Sequence, residues 1–298
     1  MHILITGGTG LIGRALIDKL SDHEITLLTR SESKARSLFS RQLNCISNLD
    51  DLPDFNAIDA VINLAGEPIV DKRWSDQQKG IICSSRWGIT EHLVKKILEA
   101  DNPPHTFISG SAVGIYGDQG DKVIDETFVS DASDFAHSVC ENWEKIAVRA
   151  KAAQTRVCLL RTGIVLSKEG GALKKMLLPY QLGLGGPIGA GKQYFPWIHI
   201  DDMVGGILYL LNTESANGAF NLTAPNPVTN KTFSEALAGA LHRPHILFTP
   251  PFAIKLMLGE AGQLLLEGQR VVPKALLDSG YAFQFSEIRP ALDNIFAN

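Results

Sequence analysis

Cysteine is scarce in this chain of 298 residues, which has four: Cys45, Cys83, Cys140 and Cys158. They form no Cys-x-x-Cys pair and no zinc-finger spacing, so neither a disulfide-stapled scaffold nor a zinc module is indicated, and no metal is expected. A reduced, cytoplasmic setting fits that usage. Long uncharged apolar runs are also missing, and the mean hydropathy is +0.04. That excludes a helical membrane-spanning protein, and no membrane is expected among its partners. Basic charge is not in excess: the net charge is -4 and the pI about 6.1. A broad nucleic-acid-binding face is therefore not indicated, and no nucleic acid is expected as a partner. The opening segment has no basic region followed by an apolar stretch and a cleavage site, so no export signal is read there. Charged residues make up 20% and hydrophobic residues 45%. With that much apolar material the chain is not disordered, and its length suits one large domain or two moderate ones. Repeats and low-complexity tracts are absent.

Glycine is abundant, with 27 residues, many at junctions between apolar runs. The first half alternates strand-like and helix-like segments. Residues 3–5, 24–28, 57–64, 106–109 and 156–161 read as strands. Residues 11–20, 31–39, 76–100 and 134–152 read as helices, the last with Asp134 as N-cap. Such alternation predicts a parallel sheet covered on both faces, with near-continuous apolar strands. After Gly163 the rhythm changes. Residues 183–191 are glycine-rich, prolines break the chain at 225–227 and 250–251, and residues 203–211 form a helix that Asp201 and Asp202 can cap. The fold class expected is α/β: a Rossmann-type doubly wound parallel sheet with a smaller C-terminal substrate cap. The dinucleotide-binding domain spans 1–165 plus about 195–225. The cap spans 166–194 and 226–298, with a C-terminal module at about 249–296.

The strongest motif is Thr6-Gly7-Gly8-Thr9-Gly10-Leu11-Ile12-Gly13, between the first strand and the first helix. Gly7 and Gly10 allow a tight turn and a close approach to a pyrophosphate, and Gly13 allows close helix packing. The helix N-terminus offers free N–H groups and partial positive charge to the phosphates. A dinucleotide is the ligand this predicts; a glycine turn without ligand is the plainer alternative. The second strand ends at Arg30, where an NAD-selective site carries an acid. An arginine there pairs with a 2′-phosphate, and Arg14 can add to it, so NADP is the cofactor expected. Asn63-Leu64-Ala65-Gly66 closes the third clear strand with small residues that let the chain pass beneath a cofactor ribose.

With Ile108-Ser109-Gly110-Ser111-Ala112-Val113-Gly114-Ile115-Tyr116-Gly117 and Trp197-Ile198-His199-Ile200-Asp201-Asp202, these motifs make the chain resemble the extended short-chain dehydrogenase/reductase superfamily, NAD-dependent epimerase/dehydratase type. Residues 264–281 resemble a C-terminal domain of unknown function that follows this core in an atypical branch, commonly described as sugar-nucleotide epimerase-like. The resemblance implies a Rossmann fold and NADP binding. It also implies that Ser111 bonds a substrate oxygen and that Tyr116 lines the substrate side. Extended relatives often dimerise through the helices corresponding to 76–100 and 134–152, so a homodimer, with Cys83 and Trp143 at its face, is one arrangement it suggests.

The superfamily's acid/base tyrosine and the lysine four residues later are absent. Tyr116, Tyr180, Tyr194, Tyr209 and Tyr281 are followed at that spacing by Gly120, Leu184, Ile198, Thr213 and Phe285. In the register the resemblance favours, Ala136 takes the tyrosine place and Cys140 the lysine place. A thiol with an unperturbed pKa of about 8.5 can serve as acid or nucleophile beside a cation, here Arg86 or His137. Otherwise Cys140 is a small buried hydrophobe. Arg86 stands where the superfamily has an asparagine; it is either a structural ion pair or a cleft residue that binds an anion. His199 and Asp202 either carry chemistry or fix the chain entering the next helix. Gln193, Tyr194 and Trp197 are candidate pocket linings, or else part of a cap hinge. Two functions follow. One is an NADP-dependent oxidoreductase or epimerase with an altered active site, formed by Ser111, Cys140 and Tyr116, acting on a small polar sugar-nucleotide or carbonyl substrate. The other is a catalytically silent dinucleotide-binding regulator or scaffold, in keeping with relatives discussed in connection with cell or organelle division.

Overall fold

The structure is a computed structural model that describes residues 1–297. Its centre is a sheet of seven strands: β1 (His2–Thr6), β2 (Glu24–Leu28), β3 (Asn44–Ile46), β4 (Ala60–Asn63), β5 (Thr106–Ala112), β6 (Arg156–Thr162) and β7 (Gly218–Leu222). Every pairing is parallel, and the spatial order is β7-β6-β5-β4-β1-β2-β3. The order reverses beside β1, the topological switch point where such sheets bind ligands at their C-terminal ends.

Alternation along each strand builds two cores. Ile3, Ile5, Ile62, Ile108 and Leu160 face α1 (Leu11–Lys19) and α6 (Ile200–Asn212), where Leu16, Ile17 and Ile207 meet them. Leu4, Val61, Phe107, Val157 and Leu159 point the other way, towards α3 (Asp76–Glu99) and the end of α4 (Phe135–Ala147). A side chain of this kind, fully withdrawn from water, contributes about 1.5–3 kcal/mol, so both faces of the sheet contribute to the fold's stability. Asp134 caps α4 through the His137 N–H, and Ser31 caps α2 (Glu32–Leu38), both by side-chain acceptors.

The helix at 200–212 departs from expectation. Its cap is His199, whose ring accepts the Asp201 N–H, and not Asp201 or Asp202. Two strands, β3 and β7, extend the sheet beyond the five read from the sequence. In a third core, Leu173 of α5 (Gly171–Gln181), Phe233 of α7 (Asn230–Ala240) and Leu292 of the last helix surround Trp197. Gly171 of the cap, at φ +69, lies against Leu11 at the start of α1. The start of α5 thus lies against the start of α1. Asp202 holds the C-terminal segment in place by accepting the N–H groups of Gln284 and Phe285, each at 2.8 Å.

Candidate functional site

The glycine turn between β1 and α1 has almost no free space. Gly7 has φ +70, and a Cβ there would stand 2.5 Å from the Leu64 carbonyl carbon. A Cβ on Gly13 would stand 2.5 Å from the Gly7 oxygen, and one on Gly8 2.4 Å from a Leu27 methyl. Gly8 therefore packs the turn onto β2, and Gly13 packs α1 onto the turn itself. Gly10 has ordinary extended angles, and a Cβ there would meet only the Gly7 oxygen, at a tight 3.2 Å that a shift of a few tenths of an ångström relieves. As N-cap of α1 it offers no side chain, so no side-chain acceptor caps the first turn. Helix N–H groups left in this way suit an anion. One turn on, Arg14 has a buried Nε with no hydrogen-bond partner. A charged donor orphaned beside an uncapped helix start fits a phosphate-bearing ligand.

The neighbouring strand end is held by buried polar bonds. Thr6 Oγ1 donates to Asn63 Oδ1 at 2.6 Å and accepts the Ala65 N–H at 3.2 Å. Asn63 Nδ2 and Trp143 Nε1 both donate to Thr90 Oγ1, at 2.8 and 2.9 Å. These fix residues 63–66, the floor of the cleft. At the end of β2, Thr29 Oγ1 accepts the Ser31 N–H, which orients the exposed Arg30 between them. Arg86 is not an ion pair. Its guanidinium donates to the Ile82 and Glu67 carbonyl oxygens at 3.1 and 3.0 Å and lies over the Trp143 ring, 5.4 Å from its centroid. It also lies close against Gly66, where a Cβ would stand 3.0 Å from its Cζ. Burial lowers its pKa. A desolvated cation without a carboxylate beside the floor of the cleft suits an anionic ligand.

At the end of β5 lies a buried polar group. Ser111 Oγ donates to Glu144 Oε1 at 2.6 Å. Arg161 reaches the same carboxylate from β6 with Nε and Nη2, each at 2.9 Å, and donates from Nη1 to the Tyr116 hydroxyl at 3.0 Å. Tyr116 donates to Asn221 Oδ1 at 2.7 Å. Glu144, Arg161 and Asn221 were not read from the sequence. The one signal for Glu144 was its spacing, four residues after Cys140 on the same helix face.

The tyrosine and cysteine expectations change accordingly. Tyr116 is 1% exposed, so it does not line the substrate side. Burial pushes its phenol up to about 12, against the pull of Arg161. Cys140 packs among Ile115, Tyr116, Ile124 and Val271, and burial, with the Glu144 charge, pushes its thiol up to about 12. It is a buried hydrophobe and a poor acid or nucleophile. His137 is half-buried and its Nδ1 lies 2.6 Å from the Ile115 oxygen. Trp197 is fully buried in the third core and so lines no pocket; Gln193 is tied to the Leu265 oxygen at 3.1 Å. Trp143 is buried within the chain, so it is not at a dimer face.

Residues 3–223 match the model of the NAD dependent epimerase/dehydratase family, and residues 249–295 match DUF1731, a domain of unknown function. The chain belongs to the epimerase/dehydratase family. Among members of that family it is 36% identical over 296 residues to epimerase family protein SAR0825 of Staphylococcus aureus, covering 99% of this chain and 98% of that one. It is 38% identical over 302 residues to epimerase family protein SDR39U1 of Mus musculus, with 100% of both chains covered. The crystal structure of human epimerase family protein SDR39U1 (isoform2) with NADPH superposes with a TM-score of 0.91 at 35% identity, covering 99% of each chain. UDP-glucuronic acid 4-epimerase from Bacillus cereus shares the fold, with a TM-score of 0.78 at 17% identity. Among the described residues, no helix of this family member is long and apolar enough to cross a membrane.

Proposed function

We propose that this chain binds NADPH across the C-terminal ends of β1, β2 and β4, and that it acts as an oxidoreductase or epimerase-like enzyme on a small polar substrate. The observation that carries the reading is the glycine turn, packed so closely that Gly7 and Gly13 admit no side chain, in front of an uncapped α1. The human relative crystallised with NADPH supports the phosphorylated cofactor. Gly7, Gly8, Thr9, Gly10, Leu11, Ile12 and Gly13 would cradle the pyrophosphate. Arg30 would pair with the 2′-phosphate, and Asn63, Leu64, Ala65, Gly66 and Arg86 would hold the nicotinamide half.

NADPH, when bound, supplies hydride at nicotinamide C4. The chain's own contribution is orientation and charge. Ser111 has committed its proton to Glu144, so its oxygen is left as an acceptor, which would orient a substrate hydroxyl that reaches the end of β5. Arg161 balances the Glu144 charge and fixes that carboxylate. A superfamily site without its general acid loses about 10²–10⁴-fold in rate, so turnover through this group is slow or confined to substrates that need little proton transfer. One observation favours the silent, regulatory reading: the two groups that the sequence offers in place of the tyrosine, Tyr116 and Cys140, are both buried and raised to about 12.

Intrinsic-fluorescence titration with NADPH and NADH, for the native chain and Arg30→Ala, tests the cofactor. NADPH is expected to bind more tightly than NADH, and Arg30→Ala is expected to remove most of that preference. Absence of binding to either would overturn the reading. Loss of NADPH absorbance with a panel of carbonyl compounds then selects the enzyme; tight binding without turnover selects the regulator.

A further inference from the structure

Helix α8 (Pro251–Leu258) is apolar nearly all round, with Lys255 its one charge. Ile254 is buried beneath it, yet Phe252, Leu256 and Met257 stand out in water. A helix of that composition belongs in an interior or an interface. Its inner side is fixed. Arg73 Nε donates to the Met257 oxygen at 3.0 Å, and Lys79 pairs at 2.7 Å with Glu260, just beyond the helix.

The exposed apolar surface continues from α8. The segment before it shows Ile246, Leu247 and Phe248 to water, and the end of α5 shows Leu178, Leu182 and, just past it, Leu184. These stretches run side by side. The Thr249 N–H donates to the Pro187 oxygen at 2.8 Å, and the Gly189 N–H to the Thr249 oxygen at 2.9 Å. Ser234 Oγ lies 2.5 Å from the Tyr180 hydroxyl and 2.8 Å from His245 Nε2. Nine large apolar side chains, 44–82% exposed, therefore adjoin in one patch. The largest apolar patch on a typical monomer is about 300–600 Å², and a stable contact takes about 800 Å² from each partner; nine such side chains, at roughly 100 Å² apiece, reach the second figure.

Charge divides the surroundings of the patch. Residues 170–192 and 236–259 contain no acid. Their exposed Lys174, Arg243 and Lys255 make the apolar half basic, although the chain as a whole carries -4. The neighbouring half is the opposite. Residues 118–134 expose Asp118, Asp121, Asp131 and Asp134 around the exposed Val123 and Val129, with Lys122 their one basic residue. The two halves meet at residues 267–268. The Gly268 N–H donates to Asp118 Oδ1 at 3.3 Å, and Glu267 feels the charge of Lys255 from one half and of Asp118 and Asp134 from the other.

We propose that this surface is an interface with a second copy of the chain, related by a two-fold axis that sets the basic, apolar half of one protomer on the acidic half of its partner. A two-fold contact uses the same patch on both protomers, so a patch that carries both signs in separate halves complements itself twice over. A uniformly basic patch would repel a copy of itself and select a different partner; the acidic half beside it selects a second copy. The outer side of α3 and α4, through which the family resemblance suggests a dimer, is made differently. Its charges are already paired within the chain, Arg149 with Glu91 at 2.7 Å and Lys145 with Glu141 at 2.9 Å. The contact does not depend on the cofactor.

Sedimentation equilibrium of the full-length chain over a range of concentrations measures the association. The native chain is expected to dimerise. Leu256→Glu should weaken the dimer by about tenfold or more with an unchanged circular-dichroism spectrum, whereas Ser84→Arg, on the exposed side of α3, should leave it intact. Charge reversal reads the pairing of the halves. Asp121→Lys with Asp131→Lys leaves both halves basic, and Arg243→Glu with Lys255→Glu leaves both acidic. Each double variant alone should be monomeric, and an equimolar mixture of the two should form a one-to-one heterodimer. A native chain that is monomeric at about 100 µM, a dimer that survives Leu256→Glu, a dimer broken by Ser84→Arg, or a mixture that stays monomeric would overturn the proposal. Capture of a monomeric native chain by phosphatidylglycerol vesicles would overturn it as well and assign the face to a lipid surface.

Discussion

Arg161 grips Glu144 with two parallel hydrogen bonds, Nε to Oε1 and Nη2 to Oε2, each 2.9 Å long. The side chains are 13% and 11% exposed, so the pair is nearly dry. Burial works against the Arg161 charge, but the bonds and charge of Glu144 outweigh it, and the guanidinium is held above its usual pKa. The pair joins α4 to β6, carries Ser111 on one side and holds Tyr116 on the other.

Removing one partner leaves the other charged, buried and unmatched. Arg161→Met is expected to destabilise the fold by about 3–5 kcal/mol. Adding Glu144→Gln to it should restore a good part of that loss, so the two effects should fall well short of additive. Urea denaturation of both single variants and the double variant measures the coupling. Single-variant losses below about 1 kcal/mol would show that water reaches the pair and that it is worth no more than a surface contact.

Gly7 and Gly10 should separate fold from ligand. Gly7→Ala forces a methyl into the Leu64 backbone at a positive φ, and should lower stability by more than about 1 kcal/mol. Gly10→Ala meets only the Gly7 oxygen, at 3.2 Å. It should leave the melting temperature within about 2 °C while its methyl holds a pyrophosphate off the α1 N-terminus. NADPH affinity should then fall by about tenfold or more. Unchanged affinity in Gly10→Ala would remove the pyrophosphate from this turn.

The four thiols should divide into two pairs. Cys45 and Cys83 are half-buried, and Cys140 and Cys158 are buried. Burial raises all four, Cys140 to about 12 and Cys158 to about 11. Reaction with Ellman's reagent at pH 8 should label two thiols in the folded chain and all four only after unfolding. Mass spectrometry that finds Cys140 among the first labelled would return it to the list of nucleophiles.

The glycine turn could be read from sequence because it is contiguous: eight successive residues carry strand end, turn and helix start. The alternating apolar strands were legible for the same reason. The buried polar group at the end of β5 was not. Ser111, Glu144, Arg161 and Asn221 lie on four different elements and meet only when β5, β6 and β7 pair in order. The superfamily comparison directed attention to Ala136 and Cys140, one turn short of Glu144. Residues 44–46 and 218–222 were not read as strands because Asn44, Gly218 and Asn221 interrupt their apolar pattern. Tyr116 illustrates the opposite error: the Tyr-Gly turn was correctly placed after β5, but the side chain turns inward, where Arg161 and Asn221 already satisfy its hydroxyl.

His199 should make stability sensitive to mild acid. Its ring is 2% exposed, accepts the Asp201 N–H as the cap of α6, and lies 4.0 Å from the Phe285 ring. Burial lowers its folded pKa, against the opposing pull of Asp201 and Asp202. A histidine lowered in the folded state binds fewer protons there than in the unfolded chain. Its contribution to stability is therefore complete above the unfolded value of about 6.5, and is lost as pH falls from there through the folded value. Asp202 acts in the other direction, since burial raises its carboxyl, and its contribution declines as pH rises from the carboxylate range. In His199→Asn the replacement still caps a helix well but cannot take up the proton. Between pH 7 and pH 5 the melting temperature of the native chain should fall further than that of His199→Asn. Parallel curves for the two proteins would assign the acid sensitivity to other groups and leave His199 as a cap alone.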